Sequence, residues 1–244
     1  VTPTDWPGPV VGVLGGLGPA ATAVFMDVLV RATAADRDQD HLDLVVAQHS
    51  SIPDRTASIL DPAAPDPGPV IARDAVMLER IGAGMLVLPC NTAHHFARQV
   101  EDSVSIPLVS IVEQTAQVAV ETAAGRPVAV FATEGNIRAR VYQDTLERLG
   151  AEVAVPDRDL QDALNHLIYE QVKAGRPVDR ELFDQCADQA IATGAGTVVL
   201  GCTELSVVYD QNEFRGDPRM VDSLTELARA TVRAAGKTLS PDFA

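Results

Sequence analysis

Apolar residues fall along this chain in two alternating rhythms. Short runs rich in Val, Ile and Leu, at 10–14, 44–48, 85–88, 108–111, 128–131 and 197–200, have the length and composition of strands. Longer amphipathic stretches lie between them and predict helices over 20–34, 71–81, 93–102, 113–124, 137–149, 160–173, 180–193 and 223–235. Strands alternating with helices build right-handed βαβ crossovers and a mainly parallel sheet, so the pattern predicts an α/β fold. The Pro/Asp/Gly-rich segment 61–68 reads as a surface loop.

The chain also repeats itself. Gly82-Ala83-Gly84-Met85-Leu86-Val87-Leu88-Pro89-Cys90 matches Gly194-Ala195-Gly196-Thr197-Val198-Val199-Leu200-Gly201-Cys202 at six of nine positions, the final Cys included. Each window reads as a helix end, a glycine turn, a buried strand and a Cys at the strand's C-terminal tip. Gly12-Val13-Leu14-Gly15-Gly16-Leu17-Gly18 pairs with Ala129-Val130-Phe131-Ala132-Thr133-Glu134-Gly135 at a similar offset. Repetition at this scale predicts two pseudo-symmetric, Rossmann-like α/β halves. The first is expected over 9–111 and the second over 112–209, with the segment 210–236 packing back on the first. Ligands of open α/β sheets sit beyond the carboxyl ends of the strands, so the site is expected in the cleft between the halves.

Composition narrows the function. The 244 residues carry 34 acidic and 19 basic side chains, a formal charge of -15 that repels polyanions and argues against a nucleic-acid partner. No apolar run approaches the roughly 18 residues that span a bilayer. Residues 1–9 lack a basic segment followed by an apolar one, so no signal peptide is expected. Three cysteines, Cys90, Cys186 and Cys202, do not make a disulfide framework, and reduced thiols in the cytoplasm are the expectation.

Two thiols at matching strand tips suggest a specific chemistry. A thiolate can remove a proton from a carbon acid, and a thiol on the opposite face can return one, which inverts the centre. Each Cys precedes a helix, whose N-terminal N–H groups favour the thiolate. The pH–rate curve of such a pair is bell-shaped. The chain has two lysines, Lys173 and Lys237, and no Schiff-base motif, so neither pyridoxal phosphate nor another cofactor is expected. Fixed donors would then stabilise the carbanion. Gly15-Gly16-Leu17-Gly18-Pro19, between a strand and a helix, can bring backbone N–H groups such as that of Gly16 close to a small carboxylate. A metal site on Cys90, His94 and Cys202 lacks a zinc-type spacing, and none is expected.

At these residues the chain resembles the aspartate/glutamate racemase superfamily, and its aspartate racemase branch in particular. The resemblance covers nearly the whole chain. It rests on Gly15-Gly16-Leu17-Gly18-Pro19-Ala20-Ala21-Thr22, Asp36-Arg37-Asp38-Gln39-Asp40-His41, Ile52-Pro53-Asp54-Arg55-Thr56, Pro89-Cys90-Asn91-Thr92-Ala93-His94 and Gly201-Cys202-Thr203-Glu204. It implies two α/β domains, usually in a homodimer, that racemise acidic amino acids without cofactor or metal. It implies Cys90 and Cys202 as the acid/base pair. Asn91, Thr92 and Thr203 would hold the amino-carboxylate end, and Arg55 and Lys173 a side-chain carboxylate. Tyr169 lies one helical turn before Lys173 and can share its face.

Two segments depart from the branch. His49-Ser50-Ser51 stands where Asn-Pro-Gln is common, and Ala132-Thr133-Glu134-Gly135-Asn136 where Ala-Thr-x-Gly-Thr is common. Thr133, Asn136, His49 and Ser51 are therefore site candidates whose identity bears on specificity. His49 reads equally as a pocket residue or a loop cap, Lys173 as a ligand or a helix-end charge, and Glu204 as a partner of Cys202 or of buried backbone donors. His94 reads as a local hydrogen-bonding residue and Cys186 as core filler. The leading reading is an amino-acid racemase. Its rivals are other reactions of the superfamily (hydantoin racemase, maleate cis–trans isomerase, decarboxylase) and a catalytically silent ligand-binding protein.

Overall fold

The computed structural model describes residues 6, 8–212 and 214–244, so most of the leader on which the signal-peptide expectation rests lies outside the described residues. The strands form two four-stranded parallel sheets. The first holds β1 (Val11–Gly15), β2 (Leu44–Gln48), β3 (Met85–Val87) and β4 (Leu108–Val109). The second holds β5 (Val128–Phe131), β6 (Val153–Ala154), β7 (Thr197–Leu200) and β8 (Met220–Asp222). Their orders, β2-β1-β3-β4 and β6-β5-β7-β8, are the same, so the repeat extends from sequence to topology. β1 and β3 pair through Val11 and Met85, and β5 and β7 through Val128 and Thr197, which are the repeated windows.

Two strands escape the periodicity. β6 and β8 have only two and three residues, too few to set a rhythm. β8 corrects the expectation that 210–236 belongs with the first half. Met220, Val221 and Asp222 pair with Val198, Val199 and Leu200 of β7, inside the second sheet. The helix Ser223–Ala234 that follows does pack on the first half, against helix Pro19–Ala32 and β4. Its counterpart after β4, helix Ile111–Ala123, packs on β7 and β8 of the second. Each sheet is therefore covered by the helix that follows the other sheet's last strand, and we propose that the halves divide near residues 111 and 112, with β8 in the second.

This exchange creates a shared core. Phe25, Val28 and Leu29 meet Ala116, Ala119, Leu224 and Leu227 in one buried cluster. Alanines along helix Ile111–Ala123 let the helices approach closely. Each buried Leu or Phe contributes about 1.5–3 kcal/mol, so the halves cannot separate cheaply at this end. No helix among the described residues is long and apolar enough to cross a membrane.

Three expected helices are re-formed in ways that matter to the cleft. The stretch 137–149 is two short helices, Glu134–Arg138 and Gln143–Arg148, broken where Arg140 takes a φ of 55°. The break turns Tyr142 fully inward. The segment 93–102 starts as a 3-10 turn, Thr92–Phe96, directly after Cys90. The segment 160–173 ends as a π-helix, His166–Val172, in which the Lys173 N–H reaches back to the Ile168 carbonyl at 3.0 Å. π-turns recur at functional sites. Helix Thr203–Gln211 carries no amphipathic signal because its residues from Thr203 to Tyr209 are all buried.

Candidate active site

Cys90 and Cys202 follow β3 and β7, which occupy matching positions in the two sheets. Both are buried, at 5% and 3% exposure, yet both line one cavity between the halves. Leu17, Asp54, Arg55, Thr56, Asn91 and Thr92 complete its first-half wall. Thr133, Lys173, Thr203 and Glu204 complete the other. The cavity is only about 10 Å³, room for a single water. A second space of about 310 Å³ adjoins it and shares Asp54, Arg55, Lys173 and Glu204. Those four side chains are shared by the small inner chamber and the larger vestibule, and form the neck between them.

Local structure explains how each sulfur is held. Cys202 is the N-cap residue of helix Thr203–Gln211, and the Glu204 N–H points at its sulfur. Cys90 receives the Ala93 N–H in the same manner. Helix starts of this kind favour thiolates, but here burial wins. It pushes the Cys90 thiol up, against the pull of Arg55 and Lys173. Burial pushes Cys202 well above the ordinary range, and the Glu204 carboxylate adds to the effect. The Cys202 S–H donates to Glu204 Oε2 at 3.0 Å. Lys173 stays charged: burial opposes its charge, but Glu204, Cys202, Tyr169 and Asp54 together outweigh it and raise its pKa.

Polar seams close the cleft across the halves. Deep in the floor, the Tyr142 hydroxyl donates to Asn91 Oδ1 at 2.6 Å, and Asn91 Nδ2 donates to Ser223 Oγ at 2.9 Å. Nearer the rim, Thr92 Oγ1 and Thr133 Oγ1 are 3.1 Å apart, and Thr56 donates to Thr133 at 3.3 Å. The Tyr169 hydroxyl donates to Thr56 at 3.2 Å.

The expected site residues fall into two groups. Cys90, Cys202, Arg55, Asn91, Thr92, Thr133, Lys173 and Thr203 converge on the inner cavity. The others stand off it. Gly16 lines the vestibule, and its N–H, expected to meet a carboxylate, instead donates to Thr22 Oγ1 at 3.0 Å. Its φ of 92° and a missing Cβ let the His49 backbone pack against it. His49 itself turns to Asp74, with Nδ1 and Oδ2 2.7 Å apart. Ser51 is exposed and lines neither space. Asn136 is buried behind Thr133, whose hydroxyl caps its N–H at 3.2 Å. Tyr169 lies over a separate outer groove, with the Lys173 ammonium 4.5 Å from its ring centre.

Arg55 and Asn91 are placed by the scaffold more fully than a motif can tell. Arg55 donates to the Pro53 and Leu17 carbonyls at 3.1 and 3.0 Å, which aims its guanidinium along the cavity wall. Asn91 has both ends of its amide committed to Tyr142 and Ser223. Burial pushes His94 down to about 4, so it is neutral. Its Nδ1 sits 2.9 Å from the Cys90 carbonyl oxygen. Cys186 lies in a second core, packed with Phe183, Ala187 and Leu200 within the second half, and lines neither space. Among the described residues no cluster of His, Cys, Asp and Glu could hold a metal ion. Sequence reasoning did not single out Asp54, and it left Glu204 with two readings. Both sit in the quoted motifs, but neither motif says which way a carboxylate points.

Two parallel-sheet halves that each offer one thiol to a common chamber define an α/β protein with a site in the cleft between two like domains. A model of the family described as Asp/Glu/Hydantoin racemase matches residues 14–231, and the chain belongs to that family. It is 28% identical over 228 residues to the broad specificity amino-acid racemase RacX of Bacillus subtilis (strain 168), covering 91% of this chain and 96% of that one. The fold superposes on the Picrophilus torridus aspartate racemase with a TM-score of 0.81 at 26% identity, covering 97% and 98% of the two chains. An aspartate racemase homologue from Pyrococcus horikoshii OT3 shares the fold with a TM-score of 0.73 at 24% identity, over 94% of this chain and 100% of that one.

Proposed function

We propose that this chain is a cofactor-independent amino-acid racemase that moves the Cα proton between Cys90 and Cys202. The observation that carries the reading is the shared chamber: both sulfurs line one small space with two cations and four threonines. One thiolate takes the proton from one face, and the opposite thiol supplies a proton to the other. Reversing the protonation states runs the reaction backwards. Thr92, Thr133 and Thr203 offer hydroxyls to the substrate carboxylate, and the fixed charges of Arg55 and Lys173 stabilise the electron-rich intermediate. The substrate's own ammonium group, brought next to the sulfurs, lowers their pKa at the moment of need.

The substrate class is aspartate, glutamate or a related amino acid. Arg55 and Lys173 suit a side-chain carboxylate, while Asp54 and Glu204 in the same neck temper that preference. The same reading includes a cytoplasmic homodimer. The test is a panel of single-enantiomer amino acids incubated with the purified protein and resolved by chiral chromatography. At least one member should drift to an equal mixture of enantiomers. A flat result over all twenty side chains, with hydantoins and maleate included and converted instead, would contradict it.

A further inference from the structure

Resting on the racemase reading, we propose that Glu204 is the port through which Cys202, and not Cys90, exchanges its proton with solvent. The two thiols are then chemically alike but kinetically unequal. Glu204 stands in both spaces: it lines the inner chamber with the sulfurs and the vestibule beyond the neck. Its two oxygens are divided between them. Oε2 accepts the Cys202 S–H at 3.0 Å. Oε1 lies toward Gly18, a vestibule residue, where an added Cβ would come within 3.3 Å of it. The residue is 6% exposed, so it forms a wall of the chamber and not a free surface group.

Among the described residues Cys90 has no equivalent hydrogen bond from its sulfur to a carboxylate. Its sulfur receives the Ala93 amide, which cannot carry a proton away. Arg55 and Lys173, the charged groups that favour its thiolate, are donors with no acceptor site for its proton. His94 is half-buried, lines neither space and has a buried Nε2 with no partner among the described residues. Asp54, the other carboxylate on the chamber wall, gives Oδ1 to the Ala57 N–H at 2.8 Å and has Oδ2 3.9 Å from Lys173.

The steps balance without a redox partner. When Cys202 is the base, the Cα–H bond breaks and an S–H bond forms. The S–H bond then breaks as Glu204 takes the proton on Oε2. The carboxyl group turns about Cγ–Cδ and releases the proton to vestibule water, restoring carboxylate and thiolate. A proton taken by Cys90 lacks this exit and returns to the same carbon or stays on the sulfur until the chamber opens. Glu204 touches the thiol and not the reacting carbon, so it is a positioning and relay residue.

The experiment is deuterium wash-in at early times. Each enantiomer of one racemised amino acid is incubated separately with the full chain in heavy water. Cα deuterium in the remaining substrate is measured by mass spectrometry against product formed. One enantiomer should gain deuterium faster than the other, and Glu204→Gln should lower that faster wash-in by about tenfold while leaving the slower one in place. Glu204→Asp should restore part of it. Gly18→Ala, which keeps the carboxylate but presses on Oε1, should lower the same wash-in to a lesser degree and serves if the Gln variant does not fold. Equal wash-in from both enantiomers, or an unchanged asymmetry in the Gln variant, overturns the port while leaving the racemase reading intact. A wild-type chain that racemises no amino acid overturns both.

Discussion

The Tyr142 hydroxyl donates to Asn91 Oδ1 at 2.6 Å, tying the residue after Cys90 to a side chain of the other half. Tyr142 is fully buried, and so is its partner. Removing the hydroxyl leaves the Asn91 carbonyl without its donor in a dry floor, which costs about 1–3 kcal/mol. Tyr142→Phe should therefore lower stability by that amount in urea unfolding. It should also lower kcat by loosening the loop that carries Cys90. Unchanged stability would mean that the floor does not join the halves.

The raised thiols set a pH dependence. A base held above its ordinary pKa remains protonated through neutral pH, so kcat/KM should climb with pH and its lower limb should lie above about 8.5. At higher pH the second thiol also ionises and the rate should fall. The sign for folding follows from the same direction: neutral buried thiols favour the folded chain below about 8.5, and that contribution fades as pH passes through their raised values. Lys173 pulls both thiols down. Lys173→Met should move the lower limb further up and reduce kcat/KM by about 10- to 100-fold. A limb below pH 7, or one that ignores Lys173, would contradict these electrostatics.

Cys186 provides the contrast. It is buried in the second core, and burial pushes its thiol up to about 11. Cys186→Ala should cost roughly 0.5–3 kcal/mol of stability and leave kcat unchanged. A large loss of kcat would show that thiol chemistry extends beyond the chamber.

Gly16 tests the vestibule wall. A Cβ there would stand 2.5 Å from the His49 carbonyl carbon, at a φ of 92° that other residues avoid. Gly16→Ala should destabilise the chain by about 1–3 kcal/mol, measured by thermal unfolding. It should also raise KM, because the displaced loop carries Leu17, whose carbonyl accepts from Arg55 at 3.0 Å.

What the sequence made legible follows from range. The repeat places a Cys just beyond the tip of both β3 and β7, and both line the cavity between the halves. Thr92, Thr203 and Arg55 lie in contiguous motifs beside those tips or the first loop, and they reach the chamber. The errors concern orientation. His49 and Ser51 lie in the right segment but face away, because Asp74 draws the imidazole outward. Asn91 reads as a substrate ligand and does line the chamber, but that Tyr142 and Ser223, distant in sequence, hold its amide is not legible. Short strands such as β6 and the all-round buried helix Thr203–Gln211 leave no periodic trace. The division of Glu204 between two spaces depends on Gly18, which arrives from the other half.

The most direct test of the account is stereoinversion in Cys90→Ser and Cys202→Ser, measured by chiral chromatography on an amino acid the wild type racemises. A hydroxyl is too weak an acid and base to replace a thiol at these positions. Each variant should lose at least about 100- to 10,000-fold in racemisation while keeping its fold by circular dichroism. Substantial racemisation in either variant would contradict the placement of one reacting carbon between two sulfurs.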